Sequence, residues 1–280
     1  MLFRSSIPKI IYAATSEGIW QSADSGQSWK RIFRGKDSLE RYCTSFLFSP
    51  DIMLSGTRSG LFSSIDKGRT WHRVSGYLSD ACILAISSSG ANSKYIYVAS
   101  ADGVYVSSDR ARTWDKIYAV VGPENYNADY EEDTPEDSEE SSIIRYVSVA
   151  ADNDKIIYIA TTEGVYYSGN LGLSWERMSS YGLLSHDVYF VLSLSKDKIY
   201  AATKTGLFLF DKGRWQELTF GLPIDEIRSV YSDKKDNLYL ATDRGLFMSQ
   251  DIQKETIIEK YYPGNIVSDG EEPGINRSEE

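Results

Sequence analysis

A glycine followed by an apolar and then an aromatic residue recurs six times in this chain, as SEGIW, RSGLF, ADGVY, TEGVY, KTGLF and DRGLF at Gly18, Gly60, Gly103, Gly164, Gly206 and Gly245. The steps between these glycines are 42, 43, 61, 42 and 39 residues. A recurrence of that length means one supersecondary unit copied along the chain, and it fixes the architecture before any single element is read. Ahead of each glycine stands an apolar run rich in β-branched and aromatic residues: IIYAAT, IMLSGT, IYVAS, IIYIAT, IYAAT and LYLAT. Such runs, each closed by polar and glycine punctuation, read as strands.

The third unit shows the full pattern: ACILAIS, KYIYVAS, GVYVSS and TWDKIY, four strand-like stretches separated by short turns. None of them has helical spacing. About 42 residues in four strands is the size of one propeller blade, and radial repetition leaves only short, protected sheet edges. The sequence therefore predicts an all-β fold, a single six-bladed β-propeller with four-stranded antiparallel blades, with seven blades or a truncated wheel as the alternative. Blades are expected near 1–36, 37–77, 78–121, 143–181, 182–221 and 222–263, together forming the propeller over 1–263. MLFRSS is the candidate for the innermost strand of the first blade and TIIEKYY for the outermost strand of the sixth. Closure is then simple, unless Ile266–Asp269 (IVSD) completes the first blade instead.

A second repeat lies inside the first. SADSGQSW (Ser22, Asp24, Gly26, Trp29) returns as SIDKGRTW (Ser64, Asp66, Gly68, Trp71). SSDRARTW keeps Ser107, Asp109 and Trp114 but has Ala111 in the glycine place, and SGNLGLSW keeps Ser168, Gly172 and Trp175 with Asn170 for the Asp. In the fifth unit Asp211, Gly213 and Trp215 stand in a frame one residue short, and the sixth keeps only Ser249 and Asp251. The octapeptide falls in the turn between third and fourth strands, where Ser and Asp oxygens can accept backbone N–H groups and glycine supplies positive φ. Its Trp is expected to fold back on its own blade and bury roughly 150 to 250 Å². The motif S-x-D-x-G-x-[ST]-W resembles the Asp-box of BNR-repeat propellers, a group that includes sialidases, xyloglucanases, sortilin-type receptors and photosystem II assembly-factor propellers. That resemblance implies that these aspartates are structural rather than catalytic.

Charge is unevenly spread. The formal net charge is −10; nine of those negative charges lie in Gly122–Ser142, which has no base, and a net four in Gly264–Glu280, so the remaining body carries +3. A near-neutral body lacks the basic footprint that nucleic-acid binding needs. The 122–142 stretch is the surplus behind the 61-residue step, and its Pro, Asn and acid content predicts a disordered insertion; 264–280 reads as an acidic tail. No apolar run reaches the roughly 18 residues of a membrane-spanning helix, so a soluble chain is expected. MLFRSSIPKI has no continuous apolar stretch, so it is not expected to act as a secretory signal. The compartment stays open; a trimmed chain, on family habit, would place the protein outside the cytoplasm. Cys43 and Cys82 show neither metal nor CxxC spacing and read as small buried residues. No cofactor or metal is called for.

Chemistry-bearing residues gather on one predicted face. Turns between second and third strands and the links between blades lie opposite the octapeptides, which places Glu17, Arg58, Asp102, Glu163, Lys204 and Arg244 on the ligand face. The innermost strands begin there too, and their alignment puts Arg145, Tyr189 and Arg228 at one level, joined by Arg41 or Tyr42. Guanidinium forks beside tyrosines are suited to a carboxylate, phosphate or acidic peptide; pairing with Asp187, Glu226 or Glu40 is the competing expectation. The function that follows is a non-catalytic binding propeller that presents this face and its channel mouth to a protein, acidic peptide or glycan. The alternative is a glycoside hydrolase with paired carboxylates, drawn from acids such as Glu17, Asp102, Glu163, Asp187, Asp225 and Asp243. FRSSIP at Phe3–Pro8 resembles the FRIP segment of sialidases only loosely. His72 and His186 fall in different blades, and neither a G-x-S-x-G elbow nor a phosphate loop is present.

Overall fold

The computed structural model describes residues 2–4, 10–90, 92–120, 143–195, 198–219, 226–233, 237–249 and 258–260. It is a six-bladed propeller in which every sheet has four antiparallel strands in chain order. The first blade comprises β1 (Leu2–Arg4), β2 (Ile11–Thr15), β3 (Gly18–Ser22) and β4 (Lys30–Phe33). A single helical turn, α1 (Ser38–Arg41), leads into the second, β5 (Cys43–Phe48), β6 (Met53–Thr57), β7 (Gly60–Ser64) and β8 (His72–Arg73). The third has β9 (Ile83–Ser87), β10 (Ile96–Ser100), β11 (Gly103–Ser107) and β12 (Asp115–Ala119), and the fourth β13 (Ile144–Ala150), β14 (Asn153–Thr161), β15 (Gly164–Ser168) and β16 (Glu176–Arg177). The fifth has β17 (Val188–Ser195), β18 (Lys198–Thr203), β19 (Gly206–Asp211) and β20 (Arg214–Glu217), and the sixth β21 (Ile227–Ser232), β22 (Leu238–Thr242), β23 (Gly245–Ser249) and β24 (Ile258–Lys260). MLFRSS and TIIEKYY thus supply the first and last strands, while 122–142 and 264–280 fall outside the described residues.

Second strands explain why the repeat is so apolar there. A blade is covered on both faces by its neighbours, so β6 and β10 are buried along their whole length, the pattern of a strand with no solvent side. The core is accordingly divided among the seams between blades. Phe33, Phe46, Met53 and Phe62 fill the first seam, Leu54, Leu61, Ile83 and Val98 the second, and Val104, Ile144, Val147 and Ile157 the third. Tyr158, Val165, Val191 and Phe208 occupy the fourth, and Tyr200, Leu207, Val230 and Leu240 the fifth. Cys43 is buried in the first seam, whereas Cys82 is half-buried, because it lies in the link just ahead of β9 rather than in the strand.

One device repeats at all six corners between second and third strands. The Ser or Thr three residues before the repeat glycine turns its hydroxyl onto that glycine's carbonyl: Thr15, Thr57, Ser100, Thr161, Thr203 and Thr242 donate to Gly18, Gly60, Gly103, Gly164, Gly206 and Gly245 at 2.8 to 3.1 Å. Gly60 shows why no side chain fits: φ is +108°, and a Cβ would be driven into the carbonyl of Ser79 in the following link.

In the first four blades the octapeptide turn is held by side-chain oxygens. Ser64 Oγ accepts the Gly68 N–H at 2.8 Å, Asp66 Oδ1 accepts those of Arg69 and Thr70 at 3.0 and 2.9 Å, and Thr70 donates its hydroxyl to Asp66 Oδ2 at 2.6 Å. Asp24 and Asp109 make the equivalent bonds to Ser28 and Thr113. Asn170 Oδ1 accepts the Ser174 N–H at 3.0 Å. Hydroxyl donors, Ser28 for Asp24 and Thr70 for Asp66, hold these carboxyls down to a pKa of about 2. Blade five differs. Asp211 and Arg214 pair across a two-residue Lys212–Gly213 turn with φ of +50° and +82°, a type I′ geometry that needs no carboxylate clamp. Asp211 instead accepts from the Gln216 side chain at 3.3 Å.

Three of the tryptophans direct their indole N–H groups to the preceding blade instead of their own. Trp71 Nε1 donates to the Ile32 carbonyl of the first blade at 2.9 Å, Trp175 Nε1 to Ile117 of the third at 2.8 Å, and Trp215 Nε1 to Ser179, just past the outer strand of the fourth, at 2.8 Å. Each indole is therefore a tie to the preceding blade's rim. The box glycine follows the same logic, since a Cβ at Gly172 would press on Ile117. Trp29 bonds its own Gly26 carbonyl at 3.0 Å and is 39% exposed. Trp114 Nε1 is buried with no hydrogen-bond partner, in the one full octapeptide frame where alanine replaces glycine and takes φ +63°.

Candidate functional site

Chain order in each antiparallel blade sends the second-to-third strand turns and the links between blades to one end, and the octapeptide turns to the other. On the first of these faces the innermost strands share an irregularity. In five consecutive blades the register between first and second strand slips by one residue at the same level, between Cys43 and Ser45, Ile83 and Ala85, Ile144 and Tyr146, Val188 and Phe190, and Ile227 and Ser229. The residues left unpaired by these β-bulges are Thr44, Leu84, Arg145, Tyr189 and Arg228. A bulge re-aims one side chain and interrupts the ladder, and bulges are over-represented beside functional sites. Inner strands of successive blades pack directly, β5 on β9, β9 on β13, β13 on β17 and β17 on β21, so the five residues follow one another around the mouth.

Three of the sequence candidates meet here. Arg145 holds Asp187 with two bonds, Nε to Oδ1 at 3.1 Å and Nη2 to Oδ2 at 3.2 Å, which joins blade four to blade five. Its guanidinium carbon lies 5.7 Å from the centre of the Tyr189 ring. Arg228 Nη2 pairs with Glu226 Oε1 at 3.2 Å. Tyr189 sits among all four charges: desolvation, Asp187 and Glu226 raise its hydroxyl pKa, against the opposing pull of Arg145 and Arg228. Two arginines and two carboxylates leave the cluster neutral, and the arginine side chains stay 39% and 65% exposed.

The remaining candidates are elsewhere. Arg41 ends α1, with its Nε buried and unpartnered, and Tyr42 lies outside the ring because Thr44 takes the bulged position. Arg58 stacks on Tyr42, 3.8 Å from the ring centre. Lys204 and Arg244 are exposed in the β18–β19 and β22–β23 turns, and Arg244 approaches Asp243 at 4.0 Å. Glu40 is buried and pairs with Arg73 at the end of β8, not with a mouth residue. Thr44 and Leu84 escaped sequence reasoning because first-strand hairpins differ in length: Thr44 precedes its repeat glycine by 16 residues, Tyr189 and Arg228 by 17, Leu84 and Arg145 by 19.

Exposed apolar side chains crowd the same face. Of the ten large exposed hydrophobics among the described residues, Leu39, Tyr42, Tyr77, Ile143, Tyr181 and Leu184 stand in links between blades on the mouth side. Tyr77 and Tyr181 are 80% and 72% exposed. The opposite face carries Ile65 and Leu173 within octapeptide turns. It also carries a cleft of about 180 Å³ between blades two and three, lined by Leu47, Asp51, Ile52, Lys94, Ile96 and Arg110. Among the described residues no helix is long and apolar enough to cross a membrane, and no group of His, Cys, Asp or Glu is arranged to hold a metal ion.

No protein-family model matches the chain, and no curated protein matches it. Solved structures do. The extracellular domain of the one-component system BT4673 from B. thetaiotaomicron superposes with a TM-score of 0.69 at 15% identity, over 95% of this chain and 33% of that one. An ancestral GH74 enzyme gives 0.68 at 18% identity over 94% and 36%. The GH74 xyloglucanase of Xanthomonas campestris gives 0.65 at 17% over 89% and 43%. This chain spans a third to less than half of each of those proteins, and at such identities the likeness is one of fold: this protein is built as a β-propeller, like that extracellular domain and the GH74 enzymes.

Proposed function

We propose that this protein is a non-catalytic binding propeller of the Asp-box type that offers its mouth face to a protein partner. The concentration of exposed Tyr, Leu and Ile side chains in the links around the mouth carries the reading. Contiguous apolar surface rimmed by polar groups marks interaction sites, and aromatic residues are enriched in their centres. Exposed aliphatic residues such as Leu39, Ile143 and Leu184 favour a protein over a glycan, because sugars stack on aromatic rings and gain little from aliphatic chains. The mouth carboxylates Asp187 and Glu226 are each committed to an arginine, the arrangement of counter-ions rather than of a glycosidase acid and nucleophile. Likeness to the extracellular domain of a one-component system supports a setting outside the cytoplasm.

The test compares a triple variant of the mouth face with a double variant of the opposite face in capture of the native partner from the source cells. Tyr77→Ser with Tyr181→Ser and Leu184→Ser should abolish capture, while Ile65→Ser with Leu173→Ser on the opposite face should leave it intact. Capture that survives the mouth variant, or turnover of an aryl glycoside that disappears in Asp187→Asn, would reverse the reading.

A further inference from the structure

The five bulged residues are not alike. Around the ring, blades two and three contribute Thr44 and Leu84, uncharged, and blades four to six contribute Arg145, Tyr189 and Arg228. The Thr44 hydroxyl is already used, donating to the Ile83 carbonyl at 2.6 Å, so the apolar side chain on that side of the mouth is Leu84, half-buried and packed in part against the third seam. The guanidinium groups are only partly used. A guanidinium has five N–H groups; Arg145 spends two of its own on Asp187, and Arg228 spends one on Glu226. The surplus is of donors on two arginines that neighbour Tyr189, beside an apolar residue one blade away on β9, which packs against β13.

We infer that the mouth reads a short acidic-then-apolar segment of the protein partner, with a carboxylate between Arg145 and Arg228 at Tyr189 and an apolar side chain against Leu84. This rests on the protein-binding reading above and names the chemistry that reading leaves open. The carboxylate adds to the existing pairs instead of displacing them, because the unused N–H groups lie on the same forks that Asp187 and Glu226 already orient; charge-assisted bonds from pre-oriented guanidinium are the stronger kind. The neutral cluster gives no long-range attraction to anions in general, so selection depends on both ends of the segment being present.

Full-length protein titrated with three capped pentapeptides, EEGLL, QQGLL and EEGSS, followed by amide chemical-shift changes at low salt, tests the inference. EEGLL should bind at least roughly fivefold more tightly than either control, a modest figure for an exposed charge-assisted pair or one small apolar contact. Arg145→Met with Arg228→Met should erase the preference over QQGLL and keep that over EEGSS; Leu84→Ser should do the reverse, with Leu84→Thr as its substitute where the serine variant melts early. Three peptides of equal affinity, or both preferences lost together in either variant, would overturn the inference. Equal peptides with capture still abolished by the Tyr77, Tyr181 and Leu184 variant would leave the binding surface standing and remove only this assignment.

Discussion

Trp71 and Trp114 occupy the same position in neighbouring blades, yet one indole N–H is bonded and the other is not. Replacing each by Phe removes that N–H and a similar slice of ring area, so the area effect cancels when the two variants are compared. In Trp71→Phe the Ile32 carbonyl loses a partner across the first seam; a hydrogen bond of this sort is worth about 1 kcal/mol net, and leaving its buried partner unmade costs up to a few more. The edge contact between Trp71 and Phe33, centroids 5.1 Å apart, is retained in kind. In Trp114→Phe a buried, unsatisfied donor disappears, which returns about 1 kcal/mol. The two variants should therefore differ by roughly 2 kcal/mol, with Trp71→Phe the less stable. Urea denaturation followed by far-UV circular dichroism measures the difference, with equal slopes as the check that the same surface unfolds. Equal midpoints, or a larger loss for Trp114→Phe, would refute the claim that these indoles tie one blade to the next.

Acid should act through the octapeptide turns. Asp24, Asp66 and Asp109 are held at about 2, below the roughly 3.9 of an unfolded Asp, so their contribution is complete above about pH 4 and is lost as pH falls toward 2. The Asp24→Asn, Asp66→Asn, Asp109→Asn variant should show a flatter dependence of the urea midpoint on pH across that window; an unchanged slope would show that the turns do not govern it. Asn170 already serves in the fourth blade, so the variant is expected to fold. At the corners, Gly60→Ala should cost on the order of 3 kcal/mol or more through positive φ and collision with the Ser79 carbonyl, whereas Gly76→Ala, with φ +83° and no atom within 4 Å of the added carbon, should cost about 1. Thermal melts of the two would settle the comparison.

The wheel was legible in the sequence because a radial repeat forces the same corner chemistry to recur. The six glycines are required where a second-to-third strand turn presses on a carbonyl, and that need survives divergence of everything around it. Blade five's turn was half legible: Asp211, Gly213 and Trp215 are there, but one residue fewer converts a clamped loop into a two-residue hairpin. The direction of the indoles was not legible, since the acceptor is a main-chain carbonyl in another blade and carbonyls carry no sequence signature. The mouth was misaligned at blade two for a similar reason. A bulge inserts one residue without any residue type that announces it, and hairpins of unequal length conceal the common level of Thr44, Leu84, Arg145, Tyr189 and Arg228. That Arg145 would have a carboxylate partner was foreseeable from Asp187; that the fork would keep unused donors was not.

Several departures from the repeat coincide at the junction of blades two and three. Ala111 takes a left-handed conformation meant for glycine, the buried Trp114 indole N–H is unbonded, and the cleft opens at that same rim, spanned by the exposed Arg110–Asp51 ion pair at 3.2 Å. In a fold whose units touch only their neighbours, each seam adds its own term to the stability, and one without its indole tie adds less. Loss of that one seam would open the wheel without dividing it, leaving Thr44 and Leu84 on opposite lips of the gap and Arg145, Tyr189 and Arg228 together on one side of it.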